Sequence, residues 1–156
     1  MSSNEIDRPS VVAVLNRILE MELAGVVRYT HYSLMVYGYN RIPIVSWLRG
    51  EATTAMQHAQ EAGEMVTHLG EHPSLAIGPL LETHNHDIGA ILREAMDHER
   101  ETVACYRQLL ELVEGRSVML EEYARTKIHE EELHLGEVDK MLRKPGDIET
   151  FVSQNP

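Results

Sequence analysis

Glu131-Glu132-Leu133-His134 places a carboxylate and an imidazole three residues apart in a segment with helical periodicity. Residues at this spacing share one face of an α-helix. Counting in alternating steps of four and three predicts that the packed face of this helix comprises Leu120, Ala124, Lys127, Glu131, His134, Val138 and Met141. An acid and an imidazole on a packed face are costly unless a partner satisfies them. A metal ion is a common partner in helix bundles.

Glycine and proline residues fall at intervals that divide the chain into long helical segments. Ser10 and Ser117 are predicted N-caps. The predicted helices span about 10–37, 43–70, 86–114 and 117–143, followed by a short fifth helix at 147–152. At 156 residues the chain is most simply one domain, 1–156.

The connection between the second and third helices is long, running from Glu71 to about Asn85 and containing Pro73. Fourteen extended residues reach ~46 Å, and a helix of 28 residues is ~42 Å long. The connection can therefore run the length of the bundle, so that the third helix starts parallel to the second. This predicts an all-α, ferritin-like four-helix bundle with one long crossover between helices 2 and 3.

Each helix of the predicted bundle carries an acid or a histidine on its packed face. Together they form one candidate metal site, which comprises Glu22, His58, Glu99, Glu131 and His134. The alternative is that some faces are assigned wrongly by one residue and these acids are solvated. The remaining histidines are expected outside the cluster, most of them on the surface: His31, His68, His72, His84, His86, His98 and His129.

Composition excludes several classes of protein. A net charge of −11 argues against nucleic acid as a partner. Cys105 is the only cysteine, so no intramolecular disulfide forms and a reducing compartment is favoured. No apolar run is long enough to cross a membrane, and the polar start Met1–Glu5 lacks the features of a signal peptide. The sequence therefore predicts a cytoplasmic protein.

From Val11 to about Leu142 the sequence resembles the bacterioferritins. Leu15–Leu23 is similar to the family's first-helix signature, and Tyr29 lies where the family has a tyrosine near its iron site. Met56-Gln57-His58-Ala59 resembles the second-helix motif, and Glu99 and Glu131-x-x-His134 complete the pattern.

The resemblance implies a subunit that oxidises ferrous iron and stores ferric mineral in a 24-subunit shell. It implies a di-iron ferroxidase centre with Glu131 bridging, and its ligands would be Glu22, His58, Glu99, Glu131 and His134. Glu22, Glu99, Glu131 and His134 would be the catalytic residues. Met56 matches the methionine that binds haem b axially across a two-fold interface. Independently of the resemblance, a second apolar line on the first helix, Leu23, Val27, Thr30 and Leu34, predicts a subunit interface.

The sequence departs from the family pattern at one ligand. The second bridging carboxylate is expected three residues before His58, where this chain has Ala55. Glu51 lies ~10 Å along the helix axis from His58, too far for both to bind one ion. Lys127 lies one turn before Glu131, and it either reaches the carboxylates or extends to the surface. Ala55 and Lys127 together predict a weakened or absent di-iron centre.

Two alternatives remain open. The first is a catalytically silent haem-binding subunit that builds the shell with an active second bacterioferritin-type subunit. The second is a small ferritin-like di-metal oxidase that never forms a shell. The ligand types suit iron, but manganese or zinc also fit them.

Overall fold

Four long helices make up the computed structural model of the protein, which describes residues 5–154. They are α1 (Arg8–Met35), α2 (Arg41–His68), α3 (Ile88–Val113) and α4 (Val118–Leu142), followed by a single turn, α5 (Phe151–Gln154). No strand occurs in this part of the chain. The predicted all-α four-helix bundle is confirmed. Residues 1–4 and 155–156 of the predicted domain 1–156 lie outside the described residues.

The ends of the helices follow from local hydrogen bonds. Ser117 accepts a hydrogen bond from the amide of Leu120, so it caps α4 as predicted. Ser10 does not cap α1, because the helix already begins at Arg8, and the Ser10 hydroxyl instead donates to Asp7 at 2.6 Å. Asp87 caps α3 by accepting from the amide of Ala90.

The C-terminal turn lies later in the chain than the predicted 147–152. Gly146 adopts a left-handed conformation with φ 82°, which glycine tolerates, and the amide of Asp147 donates to the carbonyl of Lys144. The chain reverses there instead of starting a helix. Buried Asp139 on α4 then accepts hydrogen bonds from the amides of Phe151 and Val152, which positions α5.

The crossover, residues 69–87, runs along α1. The Ser74 amide donates to the Asn16 side chain, and the Gly78 amide donates to the Glu20 carbonyl. A Cβ on Gly78 would lie 3.0 Å from that carbonyl oxygen, tighter than most such contacts, so glycine suits this close approach. Further on, His86 contacts the Met35 carbonyl at the end of α1. The chain has then returned to the end where α2 starts, and α3 runs parallel to α2.

On one side of the bundle, α2 and α4 are spaced more widely than the other neighbouring helices. α1 packs against α2 and α3, and α3 packs against α4. Within the described range, no Cα atom of α2 lies within 8 Å of one in α4. Apolar clusters fill the bundle on both sides of its middle, one around Leu15 and Tyr106 and another around Tyr29 and Leu48. The polar side chains of α2 and α4 meet between these clusters.

Residues 5–154 include no helix that is both long enough and apolar enough to cross a lipid bilayer.

Candidate metal centre

Each of the four long helices contributes a buried ionisable side chain to the middle of the bundle. Glu22 (α1), His58 (α2), Glu99 (α3) and Glu131 (α4) are between 4% and 6% exposed. His58 Nδ1 lies 3.1 Å from Glu22 Oε2 and 2.8 Å from Glu131 Oε1. One ligand atom from each of these three residues lies within 4.8 Å of the other two, as the binding of a single ion requires.

His134 lies in a second group of contacts in the same cavity. Its Nδ1 is 3.0 Å from Glu51 Oε2, and its Nε2 is 3.1 Å from the Tyr29 hydroxyl. That hydroxyl donates to Glu99 Oε1 at 2.9 Å. The Trp47 ring stacks on the imidazole, with centroids 5.7 Å apart and planes 6° from parallel. The residues that line the cavity are Glu22, Glu51, Thr54, Ala55, His58, Glu99, Glu130, Glu131 and His134.

Burial and the neighbouring charges shift the proton equilibria of the cluster. Burial raises the pKa of Glu22 to about 7. Burial and the adjacent Glu131 raise the pKa of Glu99 well above its usual value. Burial alone would lower the pKa of His58, but the carboxylates of Glu131 and Glu22 outweigh it and raise the pKa to about 10. Protons and the His58 charge therefore balance the buried acids, a role that a divalent cation can take over.

Two atoms at the centre of the cluster are unsatisfied. Glu22 Oε2 and His58 Nδ1 are both buried, and neither forms a hydrogen bond of acceptable geometry despite their proximity. Buried polar groups rarely stay unpaired, so each such atom needs an explanation. A set of carboxylate and imidazole donors from four helices is chemically suited to a divalent first-row metal ion. The residues present therefore fit such an ion.

Lys127 contacts a different set of acids from the one that the sequence predicted. It neither pairs with Glu22, Glu99 or Glu131 nor extends to the surface, since it is 7% exposed. Its Nζ lies 2.5 Å from Glu61 Oε2 and 3.1 Å from Glu130 Oε2.

Glu130 links Lys127 to the cluster. The Glu130 oxygen that contacts Lys127 also lies 3.2 Å from His58 Nε2. Sequence reasoning missed Glu130 because it lies about 100° around the helix from Glu131. Only its long side chain, which remains 43% exposed, reaches back to His58.

The expectation that Glu51 lies too far from His58 for both to bind one ion did not consider a partner on another helix. It compared Glu51 only with His58 on the same helix, whereas its partner in the structure is His134 on α4. Glu51 belongs to the same row of residues as Ala55 and His58, so the sequence did place it on the right face. The missing information was how far apart α2 and α4 lie.

His98 is buried rather than on the surface, where most of the remaining histidines were expected. It is 4% exposed, and its Nε2 lies 3.1 Å from the Met21 carbonyl, which fixes the proton on that nitrogen. Burial lowers its pKa to about 4, so His98 stays neutral. Of the other six, His31 is half-buried, and the exposed ones are His68, His72, His84, His86 and His129.

Met56 lies on the outer side of α2, away from the cluster, and is 40% exposed. It lines a shallow groove together with Val26, Ala52, Thr53, Gln57 and Gln60. On neighbouring α1, Val27 and Leu34 are 43% and 52% exposed. A single chain leaves this apolar face uncovered.

Comparison with known proteins shows the family of the chain. The model of the ferritin-like domain matches residues 12–146. A ferritin-like, diiron-carboxylate protein from Bacillus anthracis superposes with a TM-score of 0.82 at 23% identity, covering 92% of this chain and 100% of that one. A dodecameric thioferritin from Bacteroides fragilis, described as bacterioferritin-related, gives a TM-score of 0.80 at 20% identity, with coverages of 88% and 87%.

A bacterioferritin from Desulfovibrio desulfuricans, with a diiron site, has a TM-score of 0.74 at 26% identity and coverages of 86% and 79%. No sequence among curated proteins matches significantly. The predicted ferritin-like architecture is thereby confirmed, and the chain belongs to the family of ferritin-like domains.

Proposed function

We propose that this protein is a bacterioferritin-type subunit that binds ferrous iron between its four helices, oxidises it and stores the ferric product. The observation that carries the proposal is the convergence of Glu22, His58, Glu99, Glu131 and His134 on one cavity. The bacterioferritin similarity and the diiron site of the Desulfovibrio desulfuricans protein support it.

To oxidise iron in this way, the chain must hold two ferrous ions close together and stabilise the higher positive charge of the ferric product. Glu22 and His58 would hold one ion and His134 the other, and Glu131 and Glu99 would supply further carboxylate oxygens. Each ion gives up one electron. The two electrons, with two protons, reduce dioxygen to hydrogen peroxide, or hydrogen peroxide to two water molecules. Once iron displaces their protons, the buried carboxylates would supply negative charge that stabilises the ferric product.

Met56 would hold haem b in the proposed assembly. It lies in an open groove beside the small side chain of Ala52. In the two-fold arrangement that the resemblance implies, a second copy of the chain would bring its own Met56 to the opposite face of the haem. A visible spectrum of the purified protein tests this proposal. Haem absorption that disappears in Met56→Leu supports it, whereas a colourless unaltered protein purified from haem-supplemented cells contradicts it.

The proposed storage function requires self-association into a hollow shell, which we place in the cytoplasm. The resemblance implies 24 subunits, while the similar thioferritin is a dodecamer. The exposed apolar residues Val27, Leu34 and Met56 are the surface through which copies would pair. An oxidase that remains a monomer or dimer is the alternative, and the mass in solution separates the two.

A catalytically silent shell subunit is the second candidate function, and Ala55 is the observation that favours it. The side chain that the family places at this position is absent, so the centre would bind iron weakly or not at all. In that case an active partner subunit of the same type would oxidise the iron. The oxidation rate of the pure protein distinguishes this candidate from the main proposal.

The test is stopped-flow oxidation of ferrous iron by the purified protein. We expect a fast phase that saturates at two ions per chain and is lost in Glu131→Ala. Glu132→Ala is the matched control, because Glu132 is the next residue on α4 but is exposed and pairs with Arg107. Absence of a fast phase in the unaltered protein would contradict the main proposal and favour the silent subunit.

A further inference from the structure

We infer that Glu51 replaces the carboxylate that is absent at position 55 and, together with His134, binds the second metal ion of the centre. This inference rests on the proposed function, since it assigns a ligand within the same site. It differs from the family pattern, in which that carboxylate comes from one turn later on α2.

The contacts of His134 direct one particular nitrogen at Glu51. The Tyr29 hydroxyl occupies Nε2 at 3.1 Å, and the stacked Trp47 ring fixes the plane of the imidazole. Nδ1 therefore faces the cavity, where Glu51 Oε2 lies 3.0 Å away. An oxygen and a nitrogen that already meet at this separation need only small shifts to bind one ion between them.

The two histidines divide the cavity into two halves. His58 meets Glu22 and Glu131, and these three residues form one candidate set of ligands. His134 meets Glu51, and through Tyr29 it is linked to Glu99. Two-metal sites hold their ions about 3.5–4 Å apart, so a second set of ligands is needed. Among the residues that line the cavity, Glu51 is the carboxylate that α2 contributes.

Position 55 itself belongs to the contact between α1 and α2. A Cβ built on Gly25 would lie 3.4 Å from the Cβ of Ala55, so the helices approach each other closely at this level. Small residues on both sides permit this approach. Ala55 also lines the cavity, and its short side chain leaves the space through which Glu51 reaches His134.

The experiment is an anaerobic titration with Co²⁺, followed by the visible absorption of the bound ion. Cobalt reports binding without any oxidation step. We expect two ions per chain in the unaltered protein and one in Glu51→Gln, which keeps the size of the side chain but removes its charge. Glu64→Gln, on an exposed part of the same helix, is the matched control and should retain two.

The outcomes separate this inference from the proposed function. Two ions per chain in Glu51→Gln would overturn the role of Glu51 while leaving the iron centre intact. An unaltered protein that binds no cobalt in the cavity contradicts the proposed function itself. Should Glu51→Gln fail to fold, cobalt-soaked crystals of the unaltered protein decide the question. A Glu51 oxygen bound to the ion beside His134 supports the inference, and a Glu51 turned away from that ion overturns it.

Discussion

His58 lies among three acids, with carboxylates of Glu22, Glu130 and Glu131 within 3.2 Å of its ring nitrogens. It carries a proton in the metal-free protein because the acids raise its pKa to about 10. A metal ion must displace that proton, so metal affinity rises with pH. The proton on His58 thus offsets part of the negative charge of the buried acids in the metal-free protein.

Spacing along the helices was enough to predict that five ionisable side chains come together. Glu22, His58, Glu99, Glu131 and His134 recur on predicted packed faces, and the structure places them around one cavity. Glu51 and Glu130 were beyond this reasoning, because their partners lie on a different helix or off the counted face. Spacing along one helix does not reveal distances between helices.

Because His98 is buried and neutral, we expect it to make the folded protein less stable at acid pH. Its pKa is about 4 in the folded protein and near 6.5 when unfolded, so the unfolded chain binds more protons between these values. Its contribution to stability is therefore present above pH 6.5 and is lost as the pH falls towards 4. The full loss is about 3 kcal/mol.

The measurement compares melting temperatures of the unaltered protein and His98→Gln from pH 7 to pH 4. The variant should lose less stability on acidification, because glutamine has no proton to gain. His129→Gln, at an exposed position, is the control and should follow the unaltered protein. Parallel curves for all three proteins would show that His98 does not contribute in this way.

At the level of elements, the four long helices follow from strong apolar periodicity and well-placed glycines. Their observed ends lie close to the predicted ones, because capping and helix termination are local effects. The C-terminal turn was misplaced because a contact distant in sequence sets its position. Buried Asp139 on α4 accepts hydrogen bonds from the amides of Phe151 and Val152. The local sequence at 147–152 does not predict this contact.

Asp139→Ala should release α5 without disturbing the bundle. The substitution removes the acceptor for the Phe151 and Val152 amides and the ion pair with Arg143. We expect faster hydrogen exchange at those two amides and unchanged exchange in α1. Glu137→Ala, which removes only an exposed pair with Lys140, should leave α5 protected. Equal protection of α5 in both variants would refute this assignment.

At the scale of the whole molecule, the chain buries its candidate metal ligands but leaves an apolar face open. Val27, Leu34 and Met56 project from α1 and α2, where a soluble monomer would carry polar residues. The second apolar line on the first helix was visible in the sequence, but one chain's sequence does not fix how many copies assemble.

A substitution at this face tests the assembly. A 24-subunit shell has a mass of about 425 kDa, calculated from the 17.7 kDa chain, and a dodecamer about half of that. Light scattering on the unaltered protein should give the larger mass, and Val27→Arg should reduce it, because the new charge would be buried between copies. Glu64→Arg, at an exposed polar position, serves as the control. A monomeric or dimeric unaltered protein contradicts the shell.

Iron-edge anomalous diffraction from crystals soaked anaerobically in ferrous iron is the most direct measurement. We predict two peaks inside the bundle at mid-height, one beside His58 and one beside His134, each contacted by carboxylate oxygens. Soaked crystals whose anomalous map shows no peak between the four helices would contradict the iron-binding centre on which the proposed function depends.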